Sequence, residues 1–262
     1  MAMCCALAIG IPSSVGAETL DIPSQGLEEV CIKTRSGDLE VRSSDALRVH
    51  GPGIEALRVN RRDGSLQLKS TSDSLVVEMP KNLALCIHTV SGDVDVRGDY
   101  RRLVVQSTSG DLEFQGSAEA IEYETISGDF VHEGRAELVR MTSVSGDIEV
   151  EGQVSELRTR STSGDLVFNT NEPRRIEAQT VSGDLHLMVG SMKRTVIEVK
   201  TYSGEILIEG RGGAHIDART LAGHLSINES RLRGKFSTRV GQGQSRISAT
   251  SYSGNIRFDV DD

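Results

Sequence analysis

The sequence predicts an all-β protein folded as a single-stranded, right-handed parallel β-helix, or β-solenoid, with about 18 residues in each coil. A Ser-Gly-Asp triplet or a degenerate copy of it occurs ten times, and the copies from Ser91 to Ser163 are 18 residues apart. Segments in which apolar and polar residues alternate, which is the period of a β-strand, flank every copy. A repeat this short and steady is typical of a solenoid, in which each unit contacts only its neighbours.

Each repeat contains two predicted strands, one on either side of the triplet. The residue six positions before the Ser is always aliphatic, as at Val139 and Leu157, and the residue three positions before it is usually polar, as at Thr142. After the Ser, the third and fifth residues are apolar in every copy except for His132. Because parallel stacking places equivalent residues about 4.8 Å apart, these columns are expected to form the core.

The triplet itself is predicted to be a turn. Its glycine occurs in all ten copies, as expected where the chain needs a positive φ that a side chain would penalise. The Asp is expected to accept backbone N–H bonds across its own turn. The Ser or Thr two residues before the triplet is expected to form a ladder of hydroxyl groups between coils. The predicted turn glycines are Gly37, Gly92, Gly110, Gly128, Gly146, Gly164, Gly183, Gly204, Gly223 and Gly254.

The acidic column of the triplets is the one candidate metal site. Stacked carboxylates about 4.8 Å apart repel each other, and a divalent cation such as Ca²⁺ would relieve that repulsion. The alternative, which the sequence favours, is that each Asp caps a turn and its charge is solvated. The weak calcium candidates are Asp93, Asp111, Asp129, Asp147, Asp165 and Asp184.

The two ends of the chain differ in pattern. Residues 1–17 are apolar and end in Val15-Gly16-Ala17, which predicts a secretory signal peptide. No Lys or Arg precedes the apolar stretch, so a start further upstream, or a segment of another kind, remains an alternative. Residues 18–75 are interpreted as an N-terminal cap and divergent first coils, and residues 76–262 as regular coils continuous with them in one domain. We expect a secreted, periplasmic or cell-surface protein.

Composition excludes several classes of partner. The net charge of −9 argues against nucleic acid and anionic membranes as partners. No segment after the leader is apolar enough to be an integral membrane span. The six histidines fall at different phases of the repeat, so no catalytic or metal-binding pair is expected. We therefore predict no cofactor and no enzymatic activity.

The two cysteines beyond the leader, Cys31 and Cys86, each precede the Ser of their triplet by five residues. Regular stacking would place them in one outward column, three coils and about 14 Å apart. That distance is beyond the reach of a disulfide. We therefore expect free thiols, or one thiol that pairs between molecules.

Ser-Gly-Asp followed by aliphatic-x-aliphatic, repeated over roughly residues 27–260, resembles the bacterial toastrack family of adhesin-like proteins of unknown function. The resemblance implies an extracytoplasmic β-solenoid linked to the cell surface or to envelope stress, with a protein or glycan of the cell envelope as its partner. Two alternatives remain open. One is a polymerising scaffold that resembles the bactofilins, and the other is a β-helix enzyme that acts on polysaccharides.

Overall fold

A computed structural model describes residues 19–52, 54–71, 74–228, 230–232, 234–241 and 243–261. Within these residues the protein is all β apart from one 3₁₀ turn at Ile54–Ala56. Most strands pair in parallel with an equivalent strand of another coil, so the predicted all-β parallel solenoid is confirmed. The predicted signal peptide, residues 1–17, lies outside the described residues. The chain divides into two compact units, residues 1–119 and residues 120–262.

The first unit is built from two parallel ladders. Its strands are β1 (Thr19–Ile22), β2 (Glu29–Lys33), β3 (Leu39–Ser44), β4 (Leu47–His50), β5 (Arg58–Arg62), β6 (Ser65–Lys69), β7 (Leu75–Pro80), β8 (Ala84–His88) and β9 (Val94–Gln106), with β10 (Leu112–Ser127) spanning the boundary. One ladder has the order β6, β2, β8, β9, and the other has the order β7, β3, β9. The first coil of the chain, β2 and β3, therefore lies between two later coils.

Antiparallel strands end both ladders of this unit. Strand β5 pairs antiparallel with β6, while β4 pairs antiparallel with β7 and β1 with β4. The parallel edges of β6 and β7 are thereby covered, and the outer strands are the short β5 and β1, which are poorer templates for pairing with another chain. The extent of the N-terminal cap, residues 18–75, stays a prediction.

The order of the coils corrects the expectation for the cysteines. Cys31 on β2 is the direct register partner of Cys86 on β8, so the predicted separation of three coils is wrong. The described residues of the intervening segment, 42–75, do not stack between the two strands. They form the coil and the antiparallel strands on the other side of β2.

The second unit repeats this design. Its strands after β10 are β11 (Phe130–Ser145), β12 (Ile148–Ser163), β13 (Leu166–Thr170), β14 (Arg175–Ser182), β15 (Leu185–Val189), β16 (Val196–Ser203), β17 (Ile206–Arg211), β18 (Ala214–Ala222), β19 (Leu225–Ile227), β20 (Ser230–Leu232), β21 (Lys235–Val240), β22 (Ser245–Ser253) and β23 (Ile256–Asp261). The last coil, β22 and β23, lies between the coil of β16 and β17 and the coil of β18 and β19. Antiparallel β21 and β20 pair with β18 and β19.

The core consists of the predicted columns. Ile148, Val150 and Leu157 are each 1% exposed, and their equivalents in neighbouring coils are buried in the same way. Burying one such aliphatic side chain contributes about 1.5–3 kcal/mol to the free energy of unfolding. His132, the polar exception in the sequence pattern, is also fully buried, with its ring 6.5 Å from that of Phe130. The alternation of buried and exposed residues leaves the corners as the surface on which repeated side chains align.

Candidate functional site

The triplet glycine lies where the chain turns from one ladder to the other. Gly146 has a φ of 130°, and a Cβ on it would overlap the carbonyl oxygen of Gly128 in the preceding coil. The corner therefore needs glycine both for its left-handed backbone and for the close approach of stacked turns. Nine of the ten turn glycines have a positive φ. Gly223 does not, although a Cβ there would overlap the carbonyl oxygen of Gly254.

The triplet carboxylates link successive coils. In the second unit, Oδ1 of Asp147 accepts the backbone N–H of Asp165, and Oδ1 of Asp165 accepts that of Asp184, both at 2.8 Å. The expected cap across its own turn is therefore wrong at these positions, because Asp147 and Asp165 cap the turn of the next coil. The same bond occurs in the first unit, where Asp93 Oδ1 accepts the N–H of Asp111 at 3.0 Å. We call the series in the second unit the acidic ladder: Asp129, Asp147, Asp165, Asp184 and Glu205.

Six of the Ser and Thr hydroxyls before the triplet donate to a carbonyl of their own coil, whereas that of Thr220 donates to the carbonyl of Gly254 in the neighbouring coil. Ser143 Oγ donates to the carbonyl of Ser145 at 3.1 Å, and Ser161 Oγ donates to the carbonyl of Ser163 at 3.0 Å. The expected hydroxyl ladder between coils is therefore wrong. The turn presents a carbonyl two residues ahead of each hydroxyl, and this nearer acceptor satisfies it.

The acidic ladder leaves its charge exposed to solvent. Among the described residues, no Lys, Arg or His lies within ion-pair distance of Asp147, Asp165 or Asp184. No group of three or more His, Cys, Asp and Glu residues in the described ranges is arranged to hold a metal ion. Weak calcium binding by the acidic column stays a prediction, in which each carboxylate would bind through the oxygen that is not bonded to the next coil.

An exposed apolar column runs beside the acidic ladder, and the sequence reasoning missed it. The residue directly before the triplet Ser is exposed in each coil of the second unit, and its side chain is apolar or aromatic in all coils but that of Thr162. The exposed fractions are 56% for Ile126, 50% for Val144, 51% for Val181, 56% for Tyr202, 49% for Tyr252 and 65% for Leu221. We call these six residues the apolar stripe. Aligning the column before the Ser would have revealed it.

One end of the stripe does not follow sequence order, because the last coil is inserted between two earlier coils. Register pairs on β16, β22 and β18 place Tyr202, Tyr252 and Leu221 on successive rungs. The rings of Tyr202 and Tyr252 stack with centroids 4.7 Å apart and planes 4° apart. Seven rungs at about 4.8 Å give a stripe about 29 Å long. An aligned row of exposed apolar side chains is a candidate interaction site.

Charge differs on the two sides of the stripe. The acidic ladder lies on the side toward the next strand, and its members are exposed. On the opposite side, the outward residue two positions earlier is basic in three coils, at Arg160, Lys200 and Arg219, and these are exposed too. The stripe therefore presents apolar surface between a negative edge and a partly positive edge.

A groove at the other corner of the second unit is lined by several carboxylates, two of which contact side chains next to the groove. It has a volume of about 430 Å³ and includes Glu209 and Asp259 in its lining. His186 Nε2 is 2.8 Å from Glu209 Oε2, and Arg257 Nη2 is 2.7 Å from Asp259 Oδ2. Glu209 thus lies against an imidazole and Asp259 against a guanidinium, an arrangement that solvated β-sheet surfaces commonly show.

Comparison with known proteins identifies the repeat. A family model described as Toastrack DUF4097 matches residues 56–209. The chain is similar in structure to a protein from Parabacteroides distasonis described as a "putative lipid binding protein", with a TM-score of 0.59, 16% identity, and coverage of 92% of this chain and 96% of that one. It is also similar to a "putative adhesin" from Bacteroides fragilis, with a TM-score of 0.50, 15% identity, and coverage of 92% and 95%.

These structural likenesses show the fold alone, because both identities are low. No curated protein sequence matches the chain. In the part of the chain that the structure describes, no helix has the length and apolar character needed to cross a membrane.

Proposed function

The chain belongs to the Toastrack family, DUF4097, and from this premise we propose that it is a non-enzymatic, adhesin-like protein of the bacterial cell envelope that binds its partner along the apolar stripe. The observation that carries the proposal is the stripe itself. Six large apolar side chains on seven consecutive rungs are about half exposed. The neighbour described as an adhesin supports a binding role, and a link to envelope stress is part of the same proposal.

The dimensions of the stripe favour a single segment as the partner. Its length of about 29 Å and a width of one side chain, about 7 Å, give roughly 200 Å². Stable association of two folded proteins usually buries about 800 Å² on each partner, so the stripe alone is too small for a second copy of the chain. The parallel strands along the stripe already pair with each other, and an extended peptide would find no open edge there. A helix satisfies its own backbone, and about 20 residues span 29 Å.

The negative charge of the acidic ladder favours a helix with basic residues beside its apolar face. The exposed ladder from Asp147 to Asp184 borders the stripe and has no cationic partner within the described residues. A helix with an apolar face toward the stripe and Lys or Arg toward the ladder would neutralise those carboxylates. The occupant we propose is therefore a basic amphipathic helix of another protein. The two tyrosines offer little aromatic surface for a glycan.

Calorimetry with the full chain and synthetic 20-residue peptides tests this function. A Leu/Lys amphipathic helix is expected to bind at micromolar concentration, and a matched Leu/Glu helix at least about tenfold more weakly, because the acidic ladder repels it. Added salt should weaken the Leu/Lys complex. Equal binding of both peptides, or of neither, would overturn the proposal.

Variants locate the binding face. Val181→Ser combined with Tyr202→Ser should reduce affinity for the Leu/Lys peptide at least tenfold, whereas Val90→Ser, at the equivalent exposed position of the first unit, should leave it unchanged.

Binding to vesicles of phosphatidylcholine and of phosphatidylglycerol tests separately whether the partner is a lipid. Retention of the protein by vesicles without peptide binding would indicate a lipid partner and contradict the helix.

Cell fractionation with N-terminal sequencing tests the compartment. Cleavage after Ala17 and recovery from the envelope fraction are expected. Filaments in the cytoplasm would instead favour the bactofilin-like scaffold, and turnover on a glycan panel that one acidic substitution abolishes would favour the enzyme.

A further inference from the structure

Two cysteines lie on adjacent rungs of the first unit with their side chains on the same face. Cys31 on β2 and Cys86 on β8 are register partners of a parallel pair, and both side chains are half-buried. Neighbouring strands are about 4.8 Å apart. Disulfides join residues whose Cα atoms are about 4.4–6.8 Å apart, so the backbone already has the spacing of a bridge.

The two thiols interact with each other and with an imidazole. The neighbouring Cys31 thiol lowers the pKa of Cys86, and the neighbouring Cys86 sulfur, together with burial, raises the pKa of Cys31. Cys86 Sγ is also 3.2 Å from His88 Nε2. The charges of Lys33 and Arg102 favour a thiolate at Cys86, while burial and Glu29 oppose it. Cys86 is therefore the better nucleophile of the pair.

We propose that Cys31 and Cys86 are a redox site that forms a reversible disulfide by exchange with a small-molecule disulfide. The Cys86 thiolate attacks one sulfur of the small disulfide, which forms a mixed disulfide and releases one thiolate. Cys31 then loses its proton to His88 or solvent, and its thiolate attacks Cys86 Sγ. The second small thiolate leaves and is protonated. The two protein thiols lose two electrons and two protons, and the small disulfide gains both.

The disulfide would link the coil of β2 covalently to the coil of β8, which is its neighbour in space but not in sequence. β2 lies between strands that follow it in sequence, and β3 to β7 make up the segment between the two cysteines. A disulfide from β2 to β8 closes that segment into a loop. Closing a loop of this length constrains the unfolded chain and thereby stabilises the folded unit.

Oxidation of the purified full chain with oxidised glutathione, followed by non-reducing peptide mapping, tests the site. A linked peptide containing Cys31 and Cys86 is expected, with a rise in Tm of roughly 5–10 °C that dithiothreitol reverses. Mapping separates this product from any bond of Cys4 or Cys5. Complete alkylation of both cysteines after oxidation, or a glutathione adduct that persists on Cys86, would overturn the proposal.

A matched variant tests whether the disulfide depends on the adjacent positions of the two cysteines or only on the presence of two reactive thiols. Val104 is the register partner of Cys86 on β9, so Cys86→Ser with Val104→Cys leaves two thiols in the same column but two rungs, about 10 Å, apart. This variant should give no internal linked peptide and no rise in Tm. Linkage as efficient as in the natural chain would show that movement of the coils, and not the adjacent rungs, brings the thiols together.

Discussion

The corners of the two units share their structural residues and differ in one outward column. Both units use a glycine that stacks on the glycine of the neighbouring coil, as at Gly110 and Gly146, and both link coils through Asp Oδ1. The residue before the triplet Ser is mostly polar in the first unit, Arg35, Val90 and Thr108, but apolar or aromatic in nearly every coil of the second. The glycine and Asp columns, which build the turn, are thus the same in both units. The column directly before the Ser, which takes no part in these turn contacts, differs between them.

The largest expected effect tests whether the shared column is structural in both units. Gly146→Ala in the second unit and Gly110→Ala in the first should each lower the free energy of unfolding by about 3 kcal/mol or more, since a Cβ adds φ strain and overlaps a carbonyl oxygen. Urea unfolding measures the change. A loss below about 1 kcal/mol in either unit would mean that its turns can separate to admit a methyl group.

The tyrosines of the core and of the apolar stripe differ in burial, and therefore in their expected effect on stability at alkaline pH. Tyr100 in the first unit is 3% exposed and its hydroxyl donates to the carbonyl of Arg97 at 3.1 Å, whereas Tyr202 and Tyr252 are exposed. Burial raises the pKa of Tyr100 to about 12. The folded pKa lies above that of an unfolded tyrosine, near 10, so the contribution of Tyr100 to stability is complete below about pH 10 and is lost as the pH rises toward 12.

This loss should amount to about 2 kcal/mol across that window. Denaturation at a series of alkaline pH values measures it, with Tyr100→Phe as the control that removes the titrating group. An unchanged pH profile in the Tyr100→Phe variant would assign the alkaline loss to other residues.

The acidic ladder should contribute less per residue. Asp165→Ala removes the acceptor of the Asp184 N–H and should cost about 1 kcal/mol, and Asp93→Ala should cost about the same in the first unit. Asp165→Asn keeps an acceptor oxygen and should cost less than Asp165→Ala. Equal losses for Asn and Ala, together with stabilisation by millimolar Ca²⁺ of the natural protein but not of either variant, would instead support the calcium prediction.

The smallest expected effect separates binding from folding. Val181→Ser alters a side chain that is 51% exposed, so the free energy of unfolding should change by less than about 0.5 kcal/mol. Thermal unfolding beside the peptide titration measures both properties. A destabilisation above about 1.5 kcal/mol would show that the stripe packs the corner and would remove the reason to regard it as a binding face.

Local patterns in the sequence predict much of this structure, because each depends on few neighbouring residues. Alternation around Ile148 and Val150 identifies the buried face, and the invariant glycine identifies the turn. The order of the coils does not follow from such patterns. Every strand carries the same alternation and can pair with any other, so nothing local to Cys31 indicates that Cys86 is its neighbour.

The candidate site was missed for a related reason. The partner of each Asp is an amide in the next coil, and the stack of Tyr202 on Tyr252 joins residues 50 positions apart. These contacts depend on which coils are adjacent. The apolar column itself was readable from the aligned repeats, but the order of its rungs, with Tyr252 between Tyr202 and Leu221, depends on the insertion of the last coil.

The insertion of β22 and β23 sets the sequence of folding events in the second unit. During synthesis, β18 and β19 are complete before the residues that separate them from β16 and β17 exist. Coil-by-coil propagation from the N-terminal side therefore cannot complete this stack, because β22 and β23, which are made after β18 and β19, become an interior rung. If β18 pairs early with β16, the chain enters a kinetic trap that must open before the native order forms. Deleting residues 245–261 would remove a rung from the middle of the stack, which is a more severe change than shortening its end.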